Sequence, residues 1–485
     1  LRIRRHQRHA GVAPPGVSAS RLAGGTAAAC VWRSVDGFPD LARLHRHAPQ
    51  RYPHLLESVA HGPPQARYDI LFAFPGNTLV FERSGQLRLN GAPIAGDFLD
   101  ALDQQWRAAR VPDDADTPFP FHGGWFVFLA YELARFYESS LALMPLADSW
   151  PVAMATRFPA AVIHDHETGA THLVCEPGHT DLLDQMVHDL QRTAHATAEP
   201  VTSPVACEVE EEEPALYRQR LACTLEYIRA GDTYQVNLSR AWRIRLKNRT
   251  PAIALYERLR LANPAPFAGL MTLDADRAVI SASPERLVCV RHGRVSTRPI
   301  AGTYPRSADP REDRALAQAL VCNPKERAEH VMLVDLERND LGRICRAGSV
   351  RADESLLVES FPHVHHIVSN ISGELNAGVT PGQVIRALFP GGTITGCPKL
   401  RTMQIIAELE GVARGAYTGS MGYINRDGSL DLNILIRTLV QDGDTLRLRA
   451  GGGIVADSDP ARELHETRAK AKGMLAALGI PRATP

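Results

Sequence analysis

GAYTGSMGYINRDGSLDLNILIRTLVQDGDTLRLRAGGGIVAD, residues 415–457, decides the fold class. Within it GAYTGSMGYI (415–424), LDLNILIRTLVQ (430–441) and TLRLRAGGGIVA (445–456) read as three strands in succession. Upstream, YQVNLSRAWRIRL (234–246) alternates like a strand, and AVISASPERLVCVRHGRVSTRP (278–299) reads as strand, turn, strand. Amphipathic helices surround them. YRQRLACTLEYIRAGD (217–232) has Leu221, Leu225 and Ile228 at helical spacing. NPKERAEHVMLVDLERNDLGRI (323–344) places Pro324 in a first turn. PGQVIRALFP (381–390) is a short helix, LRTMQIIAELEG (400–411) ends on Gly411 as its natural cap, and DPARELHETRAKAKGMLAALG (459–479) is a final helix. Strands outnumber what a simple βαβ repeat supplies. The expectation is an α+β fold with large, mainly antiparallel sheets flanked by helices.

Further out the signal thins. Residues 31–200 form an N-terminal globular region, with DILFAF (69–74) and GWFVFLAYELARF (124–136) of mixed strand and helix character. VTSPVACEVEEEEP (201–214) is expected to be a linker and a solvated hinge, because it combines prolines with an acidic run. Residues 1–30 are basic, then rich in small residues, without the apolar segment of a secretory signal, and are expected to be a disordered leader. The 485 residues, 44% of them hydrophobic, suffice for a sizeable core. Lys+Arg and Asp+Glu each total 54, a balance that argues against nucleic acid as the main partner. The 8 cysteines are scattered without metal-finger spacing, which suits a reducing cytoplasm. No apolar run is long enough for a membrane span.

The chemistry concentrates in residues 215–475. Glu326 and Glu329 lie three apart in KERAEH, and Glu463 and Glu466 three apart in RELHET. Residues i and i+3 share a helix face, so each pair points one way. Four carboxylates converging from two helices repel unless a cation neutralises them, and oxygen-only ligation favours Mg²⁺ over zinc. Two glycine-rich segments, PGGTITGCPK (390–399) and AGGGIVAD (450–457), let backbone N–H groups approach an anion, although neither has the spacing of a nucleotide loop. Arg437 interrupts an apolar strand pattern, so a carboxylate partner is expected, from the substrate or from the core. Lys399 and Lys470 are isolated basic groups near these elements. His363, His365 and His366 lack the companions of a zinc site, and one of them could serve as an acid or base.

These segments occur in an order that resembles the chorismate-binding enzymes, a family including anthranilate, aminodeoxychorismate, isochorismate and salicylate synthases. The likeness rests on GDTYQVNLSR, SPERL, RPIAGT, KERAEHVMLVDLERNDLGRI, HVHHIVS, GGTITGCPKLRTMQIIAELE, GAYTGSMGYI, LNILIRTL and GGGIVADSDPARELHETRAKA. It is dense over 215–475 and weaker before the linker. It implies a two-sheet β-sandwich core wrapped by helices, with the active site between the sheets. It implies Glu329 and Glu466 as direct Mg²⁺ ligands, with Glu326 and Glu463 as water-bridged partners. Gly302, Thr303, Thr395, Tyr417, Arg437, Lys470 and the backbone of Gly451, Gly452 and Gly453 resemble substrate-binding positions. Glu285 resembles the family's general acid, and His366 the histidine linked to pyruvate elimination. LLESVA (55–60), with Ser58, and NPAPFAGLM (263–271), with Pro266, Phe267 and Ala268, resemble the family's tryptophan-binding element.

The resemblance also bears on the reaction. Water-using members carry lysine where this chain has Gln235, and glutamine cannot deprotonate water, which favours ammonia as nucleophile. Ammonia would come from a glutamine amidotransferase subunit on a separate chain. PGGTITGCPK, DLERNDLGRI and LDLNILIRTL resemble the aminodeoxychorismate branch, which supplies 4-aminobenzoate for folate. Ala301, where that branch often carries lysine, resembles anthranilate synthase, the alternative reading. A non-catalytic chorismate-binding regulator is the third reading, opposed by the intact carboxylate quartet and Arg437.

Overall fold

The 415–457 stretch folds into four strands rather than three: Ser420–Asn425, Leu430–Asn433, Thr438–Asp442 and Thr445–Ile454. The expected 430–441 strand breaks in the middle. Its first half pairs with Arg286–Arg291 and Ser420–Asn425 in one sheet, and its second half with Arg277–Ser283 and Thr445–Ile454 in the other. The apolar run continues through the break because the chain stays buried while it crosses between sheets. Arg437 is therefore not inside a strand. It sits at the crossing with a left-handed φ of 54°, a conformation that costs a non-glycine residue about 1 kcal/mol or more unless its surroundings hold it. A backbone hydrogen bond anchors it, Ala282 N–H donating to Arg437 O at 3.1 Å.

This computed structural model describes residues 23–27, 29–37, 40–60, 66–114, 117–146, 150–195, 206–360 and 364–480. Most of the expected leader, residues 201–205 of the expected linker, and His363 lie outside them. The described strands form a 13-stranded and a 12-stranded sheet. Every pairing between them is antiparallel. The α+β expectation and the two-sheet core both hold.

Phe72, Met271 and Val279 of the larger sheet pack against Phe126, Val288, Met421 and Leu432 of the smaller one. Phe72 meets Phe126 and Phe158 with ring centroids 5.3 and 5.5 Å apart. Each such buried side chain contributes roughly 1.5–3 kcal/mol of transfer free energy. The outer face of the larger sheet is covered by helices that supply Leu44, Leu183, Met186, Leu259 and Met474.

Residues before and after the expected linker share both sheets. Strand His54–Glu57 pairs with Phe267–Thr272, and Gly124–Leu129 pairs with Ser420–Asn425. Over its described part the acidic run is solvent-exposed, but it is a paired strand and no hinge. Ala206–Glu211 is an edge strand on Gln235–Leu246, with Glu210 opposite Arg243. Glu211 forms ion pairs with Arg240 and Arg468, and Glu212 with Arg220. The alternating arginines of the neighbouring strand give the acidic run a complementary edge to dock on.

Two helices set up the site. Asn323 caps Pro324–Gly342, accepting from Lys325 N–H at 2.9 Å and Glu326 N–H at 3.4 Å. Asp459 caps Pro460–Ala477, accepting from Ala461 N–H at 3.1 Å and Arg462 N–H at 2.9 Å. Each cap fixes where the first helical turn begins, and so which way its carboxylates point.

Candidate active site

Glu326 and Glu329 project from the first turns of Pro324–Gly342, and Glu463, Glu466 and Lys470 from Pro460–Ala477. Between them runs the glycine end of strand Thr445–Ile454. A β-carbon on Gly452 would lie 3.3 Å from Glu466 Oε1, 3.4 Å from Lys470 Nζ and 3.6 Å from Glu463 Oε2. One on Gly453 would strike Gln235 Nε2 at 2.0 Å, and one on Gly451 would stand 2.8 Å from the Tyr417 hydroxyl. The glycines are there because any side chain would occupy the space into which the carboxylates point. Gly302 closes the same space from the smaller sheet: its φ is +70°, and a β-carbon would lie 2.8 Å from Glu326 Oε2.

Polar contacts hold this arrangement. Gln235 Nε2 donates to Glu329 Oε1 at 2.9 Å. Lys470 Nζ donates to Gly451 O at 2.9 Å and pairs with Glu466 Oε1 at 2.6 Å. Ser458 Oγ donates to Glu463 Oε1 at 2.7 Å. Thr393 Oγ1 donates to Glu285 Oε1 at 2.7 Å, and Thr303 Oγ1 lies 2.9 Å from His366 Nδ1. The half-buried Arg437 feels the charges of Glu285 and Glu466, yet no described carboxylate forms an ion pair with it. An always-charged guanidinium facing a cleft without a bonded partner is suited to an incoming carboxylate.

The electrostatics follow from burial and crowding. Burial, then the neighbouring Glu326 charge, pushes the Glu329 carboxyl up to about 7. Burial and Glu466 raise Glu326, and burial raises Glu463. Burial pushes Glu466 up as well, but Lys470 and Arg437 outweigh it, so Glu466 rests below the usual range. Glu285 is carried up to about 7 by burial, against the pull of the Thr393 hydroxyl. Burial lowers His366 to about 4, so its ring is neutral at pH 7.

Among the described residues, no group of three or more His, Cys, Asp or Glu side chains is placed to hold a metal ion by itself. Mg²⁺ is commonly held by one or two carboxylates with substrate and water oxygens completing its shell. An all-oxygen donor set, and the burial and like-charge crowding that raise Glu326 and Glu329, fit a divalent cation held by Glu329 and Glu466.

Not every expected residue points into this cleft. The Thr395 hydroxyl is spent on Gly391 O and Gly392 O, at 2.9 and 3.2 Å, where it holds the loop; its neighbour Thr393 reaches the site instead. Lys399 pairs with Asp340, and His365 Nε2 lies 3.0 Å from Asp313 Oδ1. Ser58, Pro266, Phe267 and Ala268 come together elsewhere, lining a separate cavity of about 450 Å³ between the sheets. There Ser58 Oγ donates to Tyr68 O at 3.0 Å and to Pro266 O at 3.3 Å.

Sequence reasoning missed the base of the site. Fully buried Glu410 accepts from Ser239 Oγ at 2.8 Å and pairs with Arg414 at 2.7 Å and Arg449 at 3.0 Å. Arg414 also donates to Asn237 O at 2.6 Å and lies over the Tyr417 ring. The one available signal was a charged residue ending an apolar helix; its partners come from a loop and a distant strand.

The family model described as chorismate binding enzyme matches residues 63–476. The chain is 38% identical over 469 residues to anthranilate synthase component 1 of Streptomyces coelicolor, covering 90% of each chain. It is 38% identical over 412 residues to aminodeoxychorismate synthase component 1 of Klebsiella aerogenes, covering 84% of this chain and 90% of that one. The crystal structure of anthranilate synthase component I from Streptococcus pneumoniae TIGR4 superposes with a TM-score of 0.75 at 31% identity, covering 85% of this chain and 93% of that one. With its acidic helices, glycine strand and crossing arginine inside a match spanning most of its length, the chain belongs to the chorismate binding enzymes.

Proposed function

We propose that this enzyme aminates chorismate to 4-amino-4-deoxychorismate, using ammonia from a glutamine amidotransferase subunit on a separate chain, for 4-aminobenzoate and folate synthesis. The observation that carries the reading is the placement of Arg437 and Glu285 across one cleft from Glu329 and Glu466.

Chorismate brings two carboxylates and an allylic hydroxyl that must depart. Arg437 receives one carboxylate in a two-pronged contact. Mg²⁺ held by Glu329 and Glu466, when bound, supplies the positive charge that orients the other carboxylate. Glu285, raised to about 7, keeps a protonated fraction near neutrality that can give its proton to the departing hydroxyl. Gln235 fills the place where a base would activate water, and its amide nitrogen is engaged with Glu329. Among the described residues its buried Oε1 has no hydrogen-bond partner, and it is an acceptor suited to an N–H donor such as ammonia.

Support for the 4-amino product comes from GGTITGCPK, DLERNDLGRI and LDLNILIRTL, and from the similar aminodeoxychorismate synthase. A second reading, anthranilate with release of pyruvate, is favoured by Ala301 and by the anthranilate synthases among its relatives. The deciding experiment incubates the pure chain with chorismate, Mg²⁺ and ammonium at mildly alkaline pH and separates the products by mass and fluorescence. An aminated product that retains the enolpyruvyl mass and is converted to 4-aminobenzoate by an added lyase supports the proposal. Fluorescent anthranilate with equimolar pyruvate moves the enzyme to tryptophan synthesis, and no turnover at all sinks both.

A further inference from the structure

The face of the larger sheet that borders the cleft continues beyond it. In strand Thr445–Ile454, residues Gly453, Gly451, Arg449 and Arg447 alternate onto one face, opposite Asn237, Ser239, Ala241 and Arg243 of strand Gln235–Leu246. A β-carbon on Gly453 would meet Gln235, and one on Gly451 the Tyr417 hydroxyl, so this end of the face belongs to the candidate active site. At the other end Arg449 and Arg447 line a cavity of about 480 Å³. Tyr417 and Arg414 line it too, so cavity and cleft share a wall.

The two sides of this cavity differ in chemistry. Phe128 of strand Gly124–Leu129, with Leu146, Trp150 and Val412, makes an apolar side. Val412 is 47% exposed, so the cavity meets solvent there. The indole N–H of Trp150 is buried and has no acceptor among the described residues, a donor whose desolvation nothing offsets.

The facing side is cationic. Arg243 is exposed and forms no ion pair with a described residue. Arg449 shares the single Glu410 carboxylate with Arg414. Its Nε and Nη2 donate to Ser239 Oγ at 3.1 and 3.0 Å, and Nη2 also to Glu410 at 3.0 Å, while Nη1 donates to no described residue. Of the lining carboxylates, Glu211 is committed to Arg240 and Arg468, and Glu212 to Arg220. Glu210, opposite Arg243 in the register, is left to balance the excess positive charge.

We propose that this cavity is a second ligand site that takes an aromatic carboxylate, and that its occupant is felt at the chorismate cleft through Tyr417 and Arg449. The volume lies within the range of about 300–1,000 Å³ that small-molecule sites occupy. Flat rings pack against Phe128 and Trp150, and the carboxylate pairs with Arg243 and with Nη1 of Arg449. Drawing Arg449 towards the ligand loosens its hold on Ser239 and Glu410. Ser239 is the strand partner of Gly451. Glu410 holds Arg414, whose guanidinium lies 5.6 Å from the Tyr417 ring centre. Occupancy therefore disturbs the wall that chorismate uses, and the coupling is reciprocal: each ligand weakens the other by the same factor. The proposal depends on chorismate occupying the cleft, not on which product forms from it.

The probe is 2-naphthoate, two fused rings with one carboxylate, titrated calorimetrically into the full chain. Its uncharged amide, 2-naphthamide, is the control. One equivalent of 2-naphthoate should bind, on the order of tenfold tighter than the amide. Arg243→Gln and Val412→Asp, both at exposed positions outside the candidate active site, should each weaken it about fivefold or more while leaving turnover of chorismate at the parent rate. Arg437→Ala should bind the probe as the parent does. No binding at millimolar probe, equal binding of the amide, or binding that survives both cavity variants overturns the site. Loss of the probe in Arg437→Ala overturns it as well, because the probe would then sit in the chorismate cleft. Should one cavity variant fail to fold, the other decides. For the coupling, the Kd of chorismate with Mg²⁺ is measured with and without saturating 2-naphthoate. It should rise about threefold or more, and an unchanged Kd overturns the coupling. All of these titrations are made without ammonium, so a failure of the proposed amination would leave their outcomes as they are.

Discussion

At the scale of single residues, burial sets the chemistry. Arg437 is held at a chain crossing with φ 54° and faces the cleft. Arg437→Lys keeps the charge but loses the planar fork, so kcat/KM for chorismate should drop on the order of a hundredfold while the melting temperature barely moves. Steady-state kinetics beside thermal melting check this; comparable activity in the two proteins would remove Arg437 from the substrate. Glu285 gives a pH dependence of definite sign. In the proposed reaction its acidic form is the competent one, and its carboxyl is raised to about 7. Normalised to un-ionised ammonia, kcat/KM should be level below that pH and fall about tenfold per unit above it. Glu410 runs the other way. Burial pushes it up, but Arg414 and Arg449 more than compensate and bring it down to about 2, against an ordinary value of 4.5. A carboxylate depressed in the folded state contributes stability that is present above 4.5 and lost as pH falls towards 2. Glu410→Gln leaves two arginines short of their partner and should cost about 3–5 kcal/mol at pH 7 in denaturant titrations, with a smaller difference from the parent at acidic pH.

At the scale of elements, two capped helices and a glycine strand make the face proposed to hold Mg²⁺. Glu329→Gln and Glu466→Gln should each abolish Mg²⁺-dependent turnover, and calorimetric titration with Mg²⁺ in the presence of chorismate should lose its signal. Retained activity in either would remove that residue from the proposed ligand pair. Asn323→Ala should be milder. Losing the cap costs about 1 kcal/mol of stability and loosens the turn that aims Glu326 and Glu329, so Mg²⁺ affinity should weaken several-fold without being lost. The helices were legible because their apolar spacing, first-turn prolines and the Gly411 cap are local features, and Gly411 has the left-handed φ of 61° expected of it. The strand break at Arg437 was not legible. Apolar residues on both sides of a chain look the same whether it stays in one sheet or passes between two.

At the scale of the whole molecule, the two sheets are shared by residues on both sides of position 205. Separating residues 23–195 from 206–480 would leave Phe267–Thr272 without His54–Glu57, and Ser420–Asn425 without Gly124–Leu129. Long unpaired apolar strand edges aggregate. The two halves expressed separately should therefore be insoluble or molten, and co-expression should recover a folded complex. Independent cooperative unfolding of either half by calorimetry would show that the sheets divide where the composition does. None of the helices among the described residues is long and apolar enough to cross a membrane.

The sequence by itself determined the antiparallel α+β class, most helices downstream of residue 215, and the pairing of carboxylates on two helix faces. These depend on periodicity within one segment, which a chain carries before it folds. The tertiary structure alone decided that Arg437 lies at a crossing between sheets and that Gln235 holds Glu329. It also decided that Thr393 rather than Thr395 reaches Glu285, and that Glu410 gathers arginines from a loop and a remote strand. Each of these joins residues far apart in the chain. Such contacts follow from sheet register and burial, whose electrostatic consequences no local spacing encodes.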